Sequence, residues 1–295
     1  MTAINPDLIN DLAERRAVFF IGAGVSAGVT TRGGGRLKVW DAFLTENANK
    51  LTDRAIKKQA HELIKNADYL MACELISRGM GDTAWETALT TEYNQRAEPS
   101  ALQKLIMQLK QRIVLTTNFD LFLEKAWEEV NSDSTHNPKI IKRLDSNALH
   151  AFRDSEEYII KIHGSIDDPD SMIFTKKEYS DKAYGNWAYS KFIETILLTH
   201  TVIFVGFSLA DPAISQIIEN YAHHLPQARP HYIFLAGSQS DTFVQINKEL
   251  RRIFIVPYKK TPDHGELTKL FEQILAEVDK RRREMSLAEL RSMGE

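Results

Sequence analysis

Six short, mostly apolar runs constrain this chain more than any other feature. They are Ala17–Ile21, Ile113–Leu115, Tyr158–Ile162, Thr201–Val205, Tyr232–Leu235 and Ile253–Val256, rich in β-branched and aromatic residues. A strand with one wet face alternates apolar and polar side chains. A nearly continuous apolar run is instead covered on both faces, as in a parallel sheet. Helical patterns lie between the runs, and strand–helix alternation implies an α/β protein with a Rossmann-like, doubly wound, mainly parallel sheet.

The spacing of the runs adds a second expectation. The first two lie about 90 residues apart, and residues 40–108 read as successive helices. A single crossover needs far less chain, so a helical subdomain is expected to be inserted there. The expected organisation is one domain over residues 1–295. Residues 1–39 and 109–280 form its α/β body, 40–108 the insertion and 281–295 a C-terminal tail. Residues 139–184 read as a second, irregular insertion. Asn5-Pro6 opens the first helix as cap and first-turn proline. Thr175…Glu178 and Ser286…Glu289 both read as capping boxes, the second starting a short final helix with Leu287, Leu290 and Met293. Val130 to Pro138 and Gly33-Gly34-Gly35 mark loops.

Composition narrows the function classes. The 295 residues carry a net charge of -3 and one cysteine, Cys73. One cysteine excludes an intrachain disulfide framework and any site built from two cysteine pairs. The charge supplies no global basic field for nucleic acid, and no apolar run approaches the ~20 residues of a membrane helix. No metal site is expected, because His223-His224 lacks further ligands at suitable spacing. A cytoplasmic protein is expected, with no signal-like apolar stretch at its start. The basic run Lys280-Arg281-Arg282-Arg283 reads as a solvated helix face. Leu267, Leu270, Phe271, Ile274, Leu275 and Val278 form an apolar stripe at helical spacing.

Polar residues gather where four of the runs end. Phe19-Phe20-Ile21-Gly22-Ala23-Gly24-Val25-Ser26 passes from strand to glycine loop to helix start. Gly22 permits a tight turn, Gly24 a close backbone approach to a pyrophosphate, and N–H groups at a helix start attract phosphate. The same pattern also makes a plain strand–helix turn. Thr116-Thr117-Asn118-Phe119-Asp120 follows the second run, offering amide and carboxylate groups or, alternatively, helix caps. Ile162-His163-Gly164 follows the third. His163 has an unperturbed pKa near neutrality and suits a general base, though a strand-end histidine can equally be structural. Val205-Gly206-Phe207-Ser208 follows the fourth, with Asp211-Pro212 as the expected start of a helix. Together the four ends describe a ligand crevice across one edge of the sheet.

In order and approximate spacing, these stations resemble the sirtuin family. The resemblance rests on Gly22-Ala23-Gly24-Val25-Ser26, Thr117-Asn118-Phe119-Asp120, Lys161-Ile162-His163-Gly164 and Gly206-Phe207-Ser208. It is similar to the prokaryotic sirtuin-like branch that consumes NAD in anti-phage defence, and to the sirtuin subunit that works with a HerA-type hexameric ATPase. The resemblance implies that NAD lies across the crevice. Gly22, Ala23, Gly24 and Ser26 would hold its pyrophosphate. Asn118 and Asp120 would hold the nicotinamide-side ribose or order a water. His163 would be the base, and Gly206 and Ser208 would sit near the adenosine half. A homo-oligomer is also implied.

Two departures shape the expected reaction. Many sirtuin deacylases carry a zinc ribbon of two cysteine pairs, which a chain with only Cys73 cannot build. The Pro-Asp-Phe-Arg stretch after the glycine loop is replaced by Val29-Thr30-Thr31-Arg32-Gly33-Gly34-Gly35, while Trp40…Leu44 looks like the defence branch. The expectation is therefore an NAD glycohydrolase yielding nicotinamide and ADP-ribose, with Asn118 and His163 as its catalytic pair. Alternatives are an NAD-dependent deacylase or ADP-ribosyltransferase, and a non-catalytic NAD or ADP-ribose binding module.

Overall fold

A computed structural model describes residues 4–31, 34–133, 136–209, 211–261 and 263–293. Parts of both expected loops, Arg32 and Gly33 in one and Ser134 and Thr135 in the other, lie outside the described residues, as do the side chains of Leu290 and Met293.

The chain begins with α1 (Pro6–Ala13), capped by the Asn5 side chain, and β1 (Ala17–Ile21). A single turn, α2 (Ala23–Ser26), follows the glycine loop. Five helices come next: α3 (Trp40–Lys50), α4 (Arg54–Lys65), α5 (Tyr69–Met80), α6 (Asp82–Tyr93) and α7 (Ala101–Gln108). Then come β2 (Ile113–Thr116), α8 (Phe122–Val130), β3 (Lys139–Ile141), β4 (Tyr158–Lys161), α9 (Lys176–Tyr179) and α10 (Trp187–Thr199). The chain ends with β5 (Thr201–Val205), α11 (Pro212–His224), β6 (His231–Ala236), α12 (Asp241–Arg251), β7 (Ile253–Tyr258) and α13 (Gly265–Met293).

The described strands form one sheet in the order β3-β4-β2-β1-β5-β6-β7, and every pairing is parallel. All residues of β1, β2 and β4 are buried. Their continuous apolarity has a direct cause: each face carries its own core. One face packs Phe20, Leu115, Ile160 and Phe204 against Phe192, Ile196, Ile214 and Ile218 of α10 and α11. The other packs Phe19, Val114 and Ile203 against Leu12, Ile106, Leu123 and Phe271 of α1, α7, α8 and α13.

α3 to α6 have a separate core around Phe43, Leu44, Cys73, Ile76, Trp85 and Phe174. α7, grouped with the insertion by sequence, instead contributes Leu102, Ile106 and Met107 to the body. Cys73 is fully buried, and that burial pushes its thiol pKa well up. It behaves as a small apolar side chain.

Three local expectations need correction. Residues 139–184 are not wholly irregular, because Lys139–Ile141 forms a seventh strand paired to β4. Its residues are exposed or half-buried at the sheet edge, so it lacks the apolar signature of the central strands. Ser286 caps no helix, since α13 runs unbroken from Gly265 to Met293. The preceding turns already supply carbonyls for its backbone, and no glycine or proline interrupts them. The basic run is not simply solvated. The Arg282 guanidinium donates to the carbonyls of Leu12 and Leu109, and Arg281 to the Asn10 side chain, which ties α13 to the C-terminal ends of α1 and α7. No described helix is long and apolar enough to cross a membrane.

Candidate functional site

Strand register aligns the four motifs. Ile21 pairs with Thr116 and with Val205, and Thr116 pairs with Lys161. Gly22, Thr117, Ile162 and Gly206 are each one residue beyond this row, and Asn118 and His163 are each two beyond it. All lie at the carboxyl ends of parallel strands, the edge at which open α/β sheets hold ligands. The strand order places β1 between β2 and β5, where the chain changes its direction of winding.

The glycine loops after β1 and β5 are locked together through their backbones. The Gly22 N–H donates to Val205 C=O and the Gly24 N–H to Gly206 C=O, each at 2.9 Å. A Cβ on Gly22 would lie 2.4 Å from the Gly206 oxygen, and one on Gly24 2.9 Å from the Gly206 Cα. Sequence reading assigned the close approach to a pyrophosphate, yet these two amides are engaged within the protein. The helix start expected after the glycine loop is present as α2, a single turn with Gly22 at its N-cap.

Asn118 joins β2 to this loop. Its Nδ2 donates to Gly22 C=O at 3.1 Å and to Ser26 Oγ at 2.9 Å. A carbonyl oxygen can only accept, so this contact defines which way the amide faces. Both amide hydrogens are used, and Oδ1 remains as the acceptor that can hold a water. Asp120 Oδ1 accepts from the Phe122 N–H, a local turn like that proposed by the structural alternative for this station. The Asp120 carbonyl accepts from Lys161 Nζ, which also donates to Glu124 at 2.9 Å. Phe119, between Asn118 and Asp120, stacks on Phe174 of the insertion core with ring centroids 4.4 Å apart. Ala23, Ser26, Trp40, Tyr93, Asn118 and Asp120 line a narrow cleft at this junction. A wider open groove of about 810 Å³ lies on the insertion, lined by Lys38, Glu46, Lys50, Asp82, Thr87 and Glu92 among others, and none of the four motifs contributes to it.

His163 is buried, and its Nε2 faces three groups. Tyr179 Oη and Tyr189 Oη are each at 3.2 Å and Asp211 Oδ2 at 3.3 Å. Burial pushes the imidazole pKa down, and the Asp211 charge opposes that shift. Burial, reinforced by Asp211, pushes both phenol pKa values well up, so both stay protonated. Gly206 is half-buried and Ser208 exposed on the β5 side of the same edge. Sequence reading missed Tyr179 and Tyr189 as partners of His163, and gave Asp211 only a helix-capping task. That task is real, since Asp211 Oδ1 accepts from the Ile214 N–H at 3.0 Å. The available signal was a carboxylate close after the fourth strand end, at the same edge as His163.

Among the described residues, no cluster of three or more His, Cys, Asp or Glu side chains is arranged to hold a metal. The site thus combines a parallel sheet, glycine loops after β1 and β5, and Asn and His at the ends of adjacent strands. The family model described as SIR2-like domain matches residues 112–258, which include the second, third and fourth stations.

Named relatives extend that similarity over most of the chain. The chain is 26% identical to NAD(+) hydrolase ThsA of Enterococcus faecium over 280 residues, covering 88% of this chain and 55% of that protein. It is 26% identical to NAD(+) hydrolase ThsA of Cytobacillus dafuensis over 245 residues, covering 82% and 46%. Defense-associated sirtuin 2 of Bacillus subtilis is 22% identical over 250 residues, covering 81% and 23%. The chain thus spans about half the length of the NAD(+) hydrolase relatives it matches.

Proposed function

We propose that this chain hydrolyses NAD to nicotinamide and ADP-ribose and acts as an anti-phage effector that depletes NAD. The observation that carries the chemistry is the placement of Asn118 and His163, two residues beyond the paired Thr116–Lys161 row on adjacent strands. The names of the NAD(+) hydrolase relatives support the same substrate.

In this reading NAD is the substrate. Breaking the nicotinamide–ribose bond expels neutral nicotinamide and leaves positive charge on the ribose. Water completes the reaction, and one proton is released with the ADP-ribose. Asn118 holds the water through Oδ1, because its amide hydrogens are tied to Gly22 and Ser26. His163, kept neutral by burial, accepts a proton from the water or from a ribose hydroxyl. Asp120 contributes on the ribose side, and Ala23 and Ser26 line the cleft beside the glycine loop. Gly22, Gly24 and Gly206 shape that loop, with Ser208 on the adenosine side. The cleft is narrow, so admitting a dinucleotide requires its walls to separate.

We read residues 1–295 as one sirtuin-like domain working in the cytoplasm as a homo-oligomer, with a HerA-type hexameric ATPase as its candidate partner. The test incubates the purified protein with NAD, alone and with such an ATPase, and follows nicotinamide by chromatography. Asn118→Ala and His163→Ala are each expected to lower release at least ~100-fold. Full activity in both variants overturns the assignment.

A further inference from the structure

We propose that Asp211 is a positioning residue for His163: its Oδ2 holds the imidazole in the Nε2–H form and leaves Nδ1 as the basic nitrogen. The proposal deepens the hydrolase reading, on which its kinetic part rests.

The two oxygens of Asp211 have separate tasks. Oδ1 caps α11 through the Ile214 N–H at 3.0 Å. Oδ2 turns the other way, lies 3.3 Å from His163 Nε2 and accepts the Tyr179 hydroxyl hydrogen. A phenol has one hydrogen, so Tyr179, having given it to Asp211, offers His163 only a lone pair across 3.2 Å. A carboxylate oxygen and a phenol lone pair therefore converge on Nε2. A ring nitrogen with its own lone pair there would be repelled by both, whereas an N–H is held by both. The third neighbour, Tyr189 Oη at 3.2 Å, is compatible as an acceptor.

The groups facing His163 Nε2 come from three elements: Tyr179 from α9, Tyr189 from α10 and Asp211 from the start of α11. Tyr184 backs Tyr179, with ring centroids 5.9 Å apart. Asp211 is the anion in this set, and its side chain is only 8% exposed, so solvent screens the pair weakly. The arrangement follows the logic of an aspartate that orients a catalytic histidine and stabilises the imidazolium formed when it takes a proton. It differs in that the carboxylate meets Nε2.

Asp211→Asn separates the two tasks. Asparagine caps helices as well as aspartate does, but it carries no charge and can also donate. The first measurement is ¹⁵N NMR of the histidine rings, with His163 assigned by the signals missing in His163→Gln. The wild type is expected to show Nε2–H and unprotonated Nδ1 at neutral pH. In Asp211→Asn the tautomers should mix, and the titration midpoint should fall because the imidazolium has lost its counter-charge.

The second measurement is NAD hydrolysis. Asp211→Asn is expected to lower kcat about 100-fold, with KM within about twofold, and to move the acidic limb of the kcat profile to lower pH. Asp211→Ser, which keeps a capping oxygen but cannot reach the ring, should match that loss with a similar melting temperature. An Nδ1–H tautomer in the wild type overturns the proposal, as does an Asn variant with unchanged tautomer and midpoint. An unchanged kcat in that variant overturns the positioning role. If the wild type cleaves no NAD under any condition, the hydrolase reading fails, and the NMR result still decides how Asp211 holds His163.

Discussion

Asn118 reaches from the end of β2 to the Gly22 carbonyl at the end of β1, a 3.1 Å hydrogen bond that joins two of the four motifs. Its second amide hydrogen goes to Ser26 Oγ. Asn118→Asp preserves the shape but loses both donors and sets a carboxylate against a carbonyl. We predict a loss of stability of at least ~2 kcal/mol, because buried acceptors are left unpaired. Ser26→Ala removes one of the two bonds and should cost about 1 kcal/mol. Urea unfolding of both variants checks the order.

The interlocked glycine loops predict a steep penalty at Gly206. Its φ is +62°, and an added Cβ would lie 2.5 Å from the Val25 nitrogen. Gly206→Ala should cost more than about 3 kcal/mol, combining backbone strain with a clash against main chain. Gly237 also has positive φ, at +82°, but has open space around it. Gly237→Ala should cost only about 1 kcal/mol. Equal melting temperatures for the two variants would contradict the packing described.

Lys161 is fully buried beneath the site, donating to Glu124 and to the Asp120 carbonyl. Lys161→Met leaves Glu124 without its cation, with Oε2 already unpartnered and buried. Loss of one partner from a buried ion pair costs about 3–5 kcal/mol. The double variant Lys161→Met, Glu124→Leu should recover much of that stability. Denaturant midpoints of the two single variants and the double variant give the coupling, and a double variant no better than Lys161→Met refutes it.

His231 predicts an acid-labile sheet. It is buried on β6, its Nδ1 accepts from the Val202 N–H at 3.1 Å, and its Nε2 has no partner. Burial, aided by Arg252, lowers its pKa from 6.5 to about 4. Above pH 6.5 both folded and unfolded states are neutral here, with no penalty. As the pH falls from 6.5 towards 4, only the unfolded chain takes up the proton, so the native state loses stability. The loss approaches about 3 kcal/mol near pH 4. Unfolding curves between pH 4 and 7 for the wild type and His231→Asn test this, the variant being expected to show a shallower slope.

Much of the architecture was legible in local sequence. Both-face burial makes a central parallel strand apolar throughout, so β1, β2, β4 and β5 announced themselves. Helix starts were legible where a side chain caps its own turn, as at Asn5, Thr175 and Asp211. β3 was not, because an edge strand of two exposed residues and one half-buried one carries little apolar signal. Ser286 misled for the opposite reason: its capping pattern is local, and the continuous helix before it removes the need for a cap.

The sequence by itself determined that polar residues would meet at one edge, since strand direction and period follow from the pattern of short-range neighbours. It singled out Asn118 and His163 as polar residues just past the ends of buried strands. Only the tertiary structure decided what those side chains touch. Gly24 lies against Gly206, Asn118 against Gly22, and His163 against Tyr179, Tyr189 and Asp211. These partners come from separate strands and helices, and their distances depend on sheet register and helix packing, which no single stretch of chain encodes.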